Sequence, residues 1–130
     1  MSQCQPIKRH RRQVLILTAQ ADGSLKLEKR NDKLLPCLNC DQTCFDSFQG
    51  ITAGPGTFTV TFEVGCTTMG TFQYTFAFSR RDKTWQLVRV REEEGNMDPK
   101  RRSVGTYTPP KDFGKIDFAD FDPENWKGKQ

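Results

Sequence analysis

Two stretches of the chain alternate apolar and polar side chains with a period of two, the spacing that sends successive residues to opposite faces of a β-strand. In the first, Phe58, Val60, Phe62 and Val64 alternate with Thr57, Thr59, Thr61 and Glu63. In the second, Phe72, Tyr74, Phe76 and Phe78 alternate with Thr71, Gln73, Thr75 and Ala77. Gly65 to Gly70 connects them, so they are expected to pair as antiparallel neighbours. Arg80-Arg81-Asp82-Lys83 reads as a polar turn and Thr84 to Arg91 as a further strand, with Trp85 and Leu87 expected on one face and Val88 and Val90 on the other. The sum is an antiparallel meander over residues 57 to 91, which the acidic run Glu92-Glu93-Glu94 is expected to end.

Upstream, Val14 to Thr18 is an apolar strand, Asp22-Gly23 a turn signal, and Leu25 and Leu27 alternate with Lys26 and Glu28, which together predict a β-hairpin. Gly50 to Ala53 fits a short strand before the Gly54-Pro55-Gly56 turn. Gly95, Pro99, Pro109, Pro110 and Pro123 restrict residues 95–130 to short elements. Asp112-Phe113, Asp117-Phe118 and Asp120-Phe121 repeat an acidic–aromatic pair there, with the rings expected to dock on the sheet and the carboxylates to stay in water. The predicted fold is all-β, a single antiparallel meander of five to seven strands or a small partly open barrel with flexible termini. Residues 1–12 form a flexible basic arm, 13–94 the β domain, and 95–130 a loop-rich segment docking on it. Leu15, Leu17, Phe58, Val60, Phe62, Tyr74, Phe76, Phe78, Trp85 and Leu87 are the expected core.

The 130 residues suit one domain, and a mean hydropathy of −0.71 with 11% aromatic residues describes a folded centre with polar ends. The net charge of +4 is unevenly spread: residues 36–79 contain no Lys or Arg. The basic residues cluster instead at Lys8, Arg9, Arg11 and Arg12 and at Lys100, Arg101 and Arg102, which argues against a nucleic-acid reading surface across the sheet. The longest apolar run is Val14-Leu15-Ile16-Leu17, far short of a membrane span and too short for the core of a secretory signal.

The strongest chemical pattern is Cys37-x2-Cys40-x3-Cys44, with Cys66 alone downstream and Cys4 in the arm. Three readings fit it: a disulfide from the Cys37 to Cys44 group to Cys66, free structural thiols, or a zinc ion held by Cys37, Cys40, Cys44 and Cys66. Zinc is disfavoured because such sites usually draw on two short-spaced pairs, and a thioredoxin-like redox site because the surroundings read as β. His10, the only histidine, sits in the polar arm, so cysteine or serine catalysis lacks a base. Asp112, Asp117, Asp120, Asp122 and Glu124 read as a solvated acidic surface rather than a paired acid and base. No phosphate-binding glycine motif occurs. The Phe72 to Phe78 stripe reads as core, with a ligand cavity of a small β-barrel as the alternative.

Taken in order, VLILTAQADGSLKLEKRND, Cys37-x2-Cys40, FDSFQGI, GTFTVTF, YTFAFSRRDKTWQLVRV and KDFGKIDFADFD cover about residues 12–121. This series resembles the C-terminal region of a family of bacterial secreted or lipoprotein-type envelope proteins. The family commonly has glycines after its second cysteine, where this chain has Asp41-Gln42-Thr43-Cys44, and a glycine-rich connection where Val64 to Gly70 stands. Both departures add a cysteine, which implies Cys44 and Cys66 as partners. The family's upstream half, with an acidic calcium-loop-like repeat and an export signal, has no counterpart here. Some relatives are similar to periplasmic immunity proteins that block lysozyme-like effectors. The resemblance implies a binder in the periplasm or outside the cell, with a protein partner such as a peptidoglycan hydrolase, no cofactor and no catalytic residue. The alternatives are a small β-barrel ligand binder and a zinc-stapled cytosolic interaction module.

Overall fold

A computed structural model describes residues 12–35, 47–65, 69–95 and 103–126. These residues form an all-β, antiparallel architecture in two sheets, with no α-helix among them. The arm up to Arg11, the Cys37 to Cys44 stretch, Cys66 and Lys100 to Arg102 lie outside the described residues.

The first sheet is the predicted hairpin, β1 (Val14–Ala19) with β2 (Leu25–Asn31). Its turn closes because Gly23 takes a φ of 91°, while the Asp22 carboxylate accepts from the Ser24 backbone N–H at 2.9 Å and from the Ser24 hydroxyl at 2.6 Å. These two bonds hold the Asp22 carboxyl below the ordinary carboxylate range. A register shift between Ile16 and Leu17 sets Ile16 opposite Lys29 and Leu17 opposite Leu27.

The second sheet runs in the order β3 (Phe48–Gly54), β4 (Thr57–Val64), β5 (Met69–Ser79), β6 (Thr84–Gly95) and β7 (Ser103–Tyr107). It is an open meander and does not close into a barrel. Pro55 and Gly56 make the β3–β4 turn, with Gly56 at a φ of 66°. Thr59 and Thr75 face each other on the polar side, their hydroxyls 2.8 Å apart.

Two expectations about β6 are corrected. Glu92, Glu93 and Glu94 do not end the strand, because they ladder with Phe72, Thr71 and Gly70 on β5 and with Gly105, Val104 and Ser103 on β7. Pairing on both sides satisfies their backbone groups, and Arg91 stands 3.2 Å from the Glu93 carboxylate to offset part of the charge. Val88 and Val90 also do not share a face opposite Leu87. Thr75 pairs with Arg89 and Phe76 with Leu87, so Val88 is an extra residue in a bulge and Val90 joins Leu87 in the core.

One core lies between the sheets. Val60, Phe62, Tyr74, Phe76, Leu87 and Val90 face it from the larger sheet, and Val14 and Leu34 from the hairpin side. The C-terminal segment fills the middle: Phe118 and Phe121 are fully buried around a single 3-10 turn, Phe118–Asp120, and Trp126 packs edge-on against Tyr107 and Phe113. Phe118 meets Phe58 and Phe76 at 5.7 and 5.1 Å between ring centres, and Phe121 meets Tyr74 and Phe76 at 4.9 and 5.5 Å. The docking predicted for the Asp-Phe repeats is thus present. Phe58 and Trp85 pack at its margin. Leu15, Leu17 and Phe78, expected in the core, are exposed instead. Phe78 meets the Trp85 ring edge-on, 5.7 Å between ring centres.

Candidate functional site

Two surfaces carry features that the core does not explain. The first is the outer face of the hairpin. Residues directly opposed in an antiparallel pair share a face, so Val14, Ile16, Lys29 and Asn31 lie on one side and Leu15, Leu17, Leu25 and Leu27 on the other. The first side covers the core. The second turns four leucines outward, with exposures of 48%, 49%, 63% and 48% in that order. Leu17 and Leu27 are direct cross-strand partners, Ala19 pairs with Leu25, and Arg30 stands opposite Leu15. Among the described residues neither strand joins a ladder of the larger sheet.

The second surface is a cleft of about 720 Å³ at the end of the larger sheet where β4 finishes and β5 begins. Phe62, Phe72, Tyr74 and Trp126 are among its lining residues, and of these Phe62, Tyr74 and Trp126 are buried core residues. Leu34, Ser47 and Val64 close it from the side. Ser47 is held there by its carbonyl, which accepts from the Glu63 N–H at 2.8 Å. Lys33, Glu92, Asp122 and Glu124 are the charged residues among those that line it. Asp122 shapes its own wall by accepting from the Glu124 N–H at 3.0 Å and from the Asn125 amide at 3.0 Å. Burial pushes the Tyr74 phenol above its ordinary value, and the nearby Glu92 carboxylate pushes it the same way.

The carboxylates read from sequence as one solvated surface have separate structural tasks. Asp112 accepts from the Thr108 N–H at 2.8 Å and closes a turn. Asp117 is only partly exposed: it accepts from the Thr84 hydroxyl and the Ala119 N–H and lies 3.3 Å from the Lys29 ammonium. Burial opposes its ionisation, but these three donors together hold its carboxyl below the ordinary range. Asp120 is exposed, and Asp122 and Glu124 belong to the cleft. Asp82, in the β5–β6 turn, is also held low, by the Gln86 amide first and then by Lys115 at 3.1 Å.

Cys37, Cys40, Cys44 and Cys66, the candidates for a disulfide or for zinc, lie outside the described residues, as does His10. Among the described residues no group of three or more histidine, cysteine or acidic side chains is placed to share a metal ion, and no helix is long and apolar enough to cross a membrane. The Phe72 to Phe78 stripe lines no barrel interior, because the sheet is open and Phe118 and Phe121 fill the space above it. Sequence reasoning missed the cleft, whose walls come from segments far apart in the chain. The signal present was the acidic–aromatic repeats, which pointed to docking; that Phe72 and Glu92 share a face follows only from their pairing across β5 and β6. No family model, curated protein or solved structure matches the chain.

Proposed function

We propose that this chain is a non-catalytic binding protein of the bacterial envelope that docks on a protein partner, as an inhibitor or immunity protein does on a peptidoglycan hydrolase. The leucine face of the hairpin carries this reading. Contiguous exposed apolar surface of this kind marks interaction sites in folded proteins. The occupant is a polypeptide rather than a lipid, because the two-stranded ribbon, which among the described residues pairs with no further strand, offers edge N–H and C=O groups that a partner's chain satisfies while its side chains cover Leu17 and Leu27. The ordered motif series of the sequence supports the envelope setting. A disulfide between the Cys37 to Cys44 group and Cys66 belongs to the same reading, and its support is positional: Leu34, Ser47 and Val64, which flank the two cysteine-bearing segments, all line one cleft.

The test is inhibition of purified lysozyme-type hydrolases, with Leu17→Ser/Leu27→Ser beside the wild type. The expected outcome is inhibition by the wild type and its loss in the double variant, with far-UV circular dichroism unchanged because both side chains are already half exposed. Absence of both binding and inhibition for the wild type counts against the proposal.

A further inference from the structure

We infer that the outer edge of β1 pairs with β1 of a second copy of this chain, antiparallel and across a two-fold axis, giving a four-stranded sheet in the order β2-β1-β1-β2. Val14-Leu15-Ile16-Leu17 is apolar at every position, the composition of a strand enclosed in a core. Among the described residues β1 is nevertheless an edge, with β2 on one side and no strand on the other. A two-stranded ribbon is marginal in water and gains from further strands.

The edges differ in how they are guarded. β2 carries Lys26, Glu28, Lys29 and Arg30, and Glu28 is the extra residue of the bulge that shifts the register between Ile16 and Leu17. β3 is bulged at Gln49, which lies between the paired residues Phe48 and Gly50. Charges and bulges of this kind keep an edge from pairing. β7 is five residues long with Gly105 at its centre, which weakens it as a strand. β1 has neither charge nor proline, and it stays regular because the extra residue is on β2.

The same absence of charge selects a second copy as the occupant. A two-fold contact sets a surface against itself, so each charge meets its own kind. β2 against β2 would oppose Lys26, Lys29 and Arg30 with their copies, whereas β1 against β1 opposes no charges. Elsewhere in the chain, residues 1–11 are polar with Pro6, 36–46 mix Cys, Asn and Asp without alternation, and 96–102 contain Pro99, so none has the sequence of a matching strand. Pairing through β1 leaves β2 as the outer edge of each copy and sets the two leucine faces side by side. The hydrolase contact keeps that face and the β2 edge, so either reading stands or falls without the other.

Six residues of strand edge make a small interface of the weak, reversible class. Sedimentation equilibrium of the full chain from about 10 μM to about 1 mM is expected to show the mass rising from monomer toward dimer, reversibly on dilution. Hydrogen exchange is expected to slow at alternate β1 amides over the same range, and not in β2, β3 or β7. Thr18→Glu, at an exposed position opposite Lys26, adds an opposite-charge pair within the hairpin but two like charges to the joined edges. It is expected to weaken association at least about tenfold with far-UV circular dichroism unchanged. Thr18→Gln and Leu27→Ser are expected to associate as the wild type does. A monomer at every concentration, slowed exchange at another edge, or Thr18→Glu that associates like the wild type overturns the inference. Loss of association in Leu27→Ser also overturns it, because the leucine faces rather than the edges would then be in contact.

Discussion

Asn31 joins the two halves of the molecule through one side chain. Its amide donates to the carbonyl oxygens of Phe118 and Phe121 at 2.7 and 2.8 Å, and its Oδ1 accepts from the N–H groups of Lys33 and Leu34, each at 2.7 Å. With two donors and two acceptor sites, every capacity of the group is used, as full burial requires. Asn31→Asp keeps the size and the acceptor but turns the two donors into an oxygen facing two buried carbonyls. Urea unfolding at neutral pH should show a loss of about 2–4 kcal/mol. A loss below about 0.5 kcal/mol, the size of an ordinary surface change, would mean that the clamp contributes nothing. Nothing local in the sequence announces this role, since an asparagine after Lys29-Arg30 reads as a turn residue until Phe118 and Phe121 are seen against it. Gly105 is a second case, because a Cβ there would stand 2.9 Å from the Tyr107 hydroxyl, whose ring folds back over it.

At the scale of elements, the 3-10 turn is tied to the strands by Asp117. Its backbone bridges to Gln86, and the neighbouring Ile116 carbonyl accepts from the Leu87 N–H at 2.9 Å. Its carboxylate caps the turn and reaches Thr84 on β6 and Lys29 on β2. Because the folded carboxyl lies below the unfolded value of about 3.9, the stabilisation it gives is fully present above that pH and is lost as pH falls through the lower folded value. Asp117→Asn should therefore cost about 1 kcal/mol at neutral pH. The difference between variant and wild type should vanish in acid, where the protonated aspartic acid resembles the amide. A difference that persists unchanged below pH 3 would show that packing, not charge, accounts for it. The β6 bulge is the other decision at this scale. Counting by twos from Leu87 sends Val90 outward, and the extra residue at Val88 returns it to the core.

For the whole molecule, the two sheets share one core and, among the described residues, have no ladder between them. Their cohesion rests on the C-terminal rings, chiefly Phe118 and Phe121, which pack against β4 and β5 while their carbonyls hold Asn31 of β2. Phe118→Ala opens a void at the centre and should cost about 3–5 kcal/mol. Thermal unfolding of the wild type, followed by tryptophan fluorescence and by hydrogen exchange of the hairpin amides, should show one transition. Hairpin amides that open well before the β5 amides in the wild type would show that the sheets are separate folding units.

The hairpin and the meander from β3 to the start of β6, with their turns, follow from the sequence by itself, because period-two alternation in Thr57 to Val64 and Thr71 to Phe78 and the chemistry of Asp22-Gly23 and Pro55-Gly56 act over a few residues, whereas β7 (Ser103–Tyr107) was not read from it. The docking of the Asp-Phe repeats was also legible, since apolar rings in a proline-bearing segment have nowhere else to be buried. Three matters were settled only by tertiary structure. In Val14-Leu15-Ile16-Leu17 every position is apolar, so alternation is silent about which pair faces inward; the contact of Val14 and Ile16 with the core leaves Leu15 and Leu17 outside. The acidic end of β6 extends because β5 and β7 are there to pair with it, a long-range compensation that local charge does not reveal. The cleft brings together Lys33, Phe72, Glu92 and Glu124, which lie far apart in the chain, and hydrophobic patterning specifies which face is buried but not which distant residues meet there.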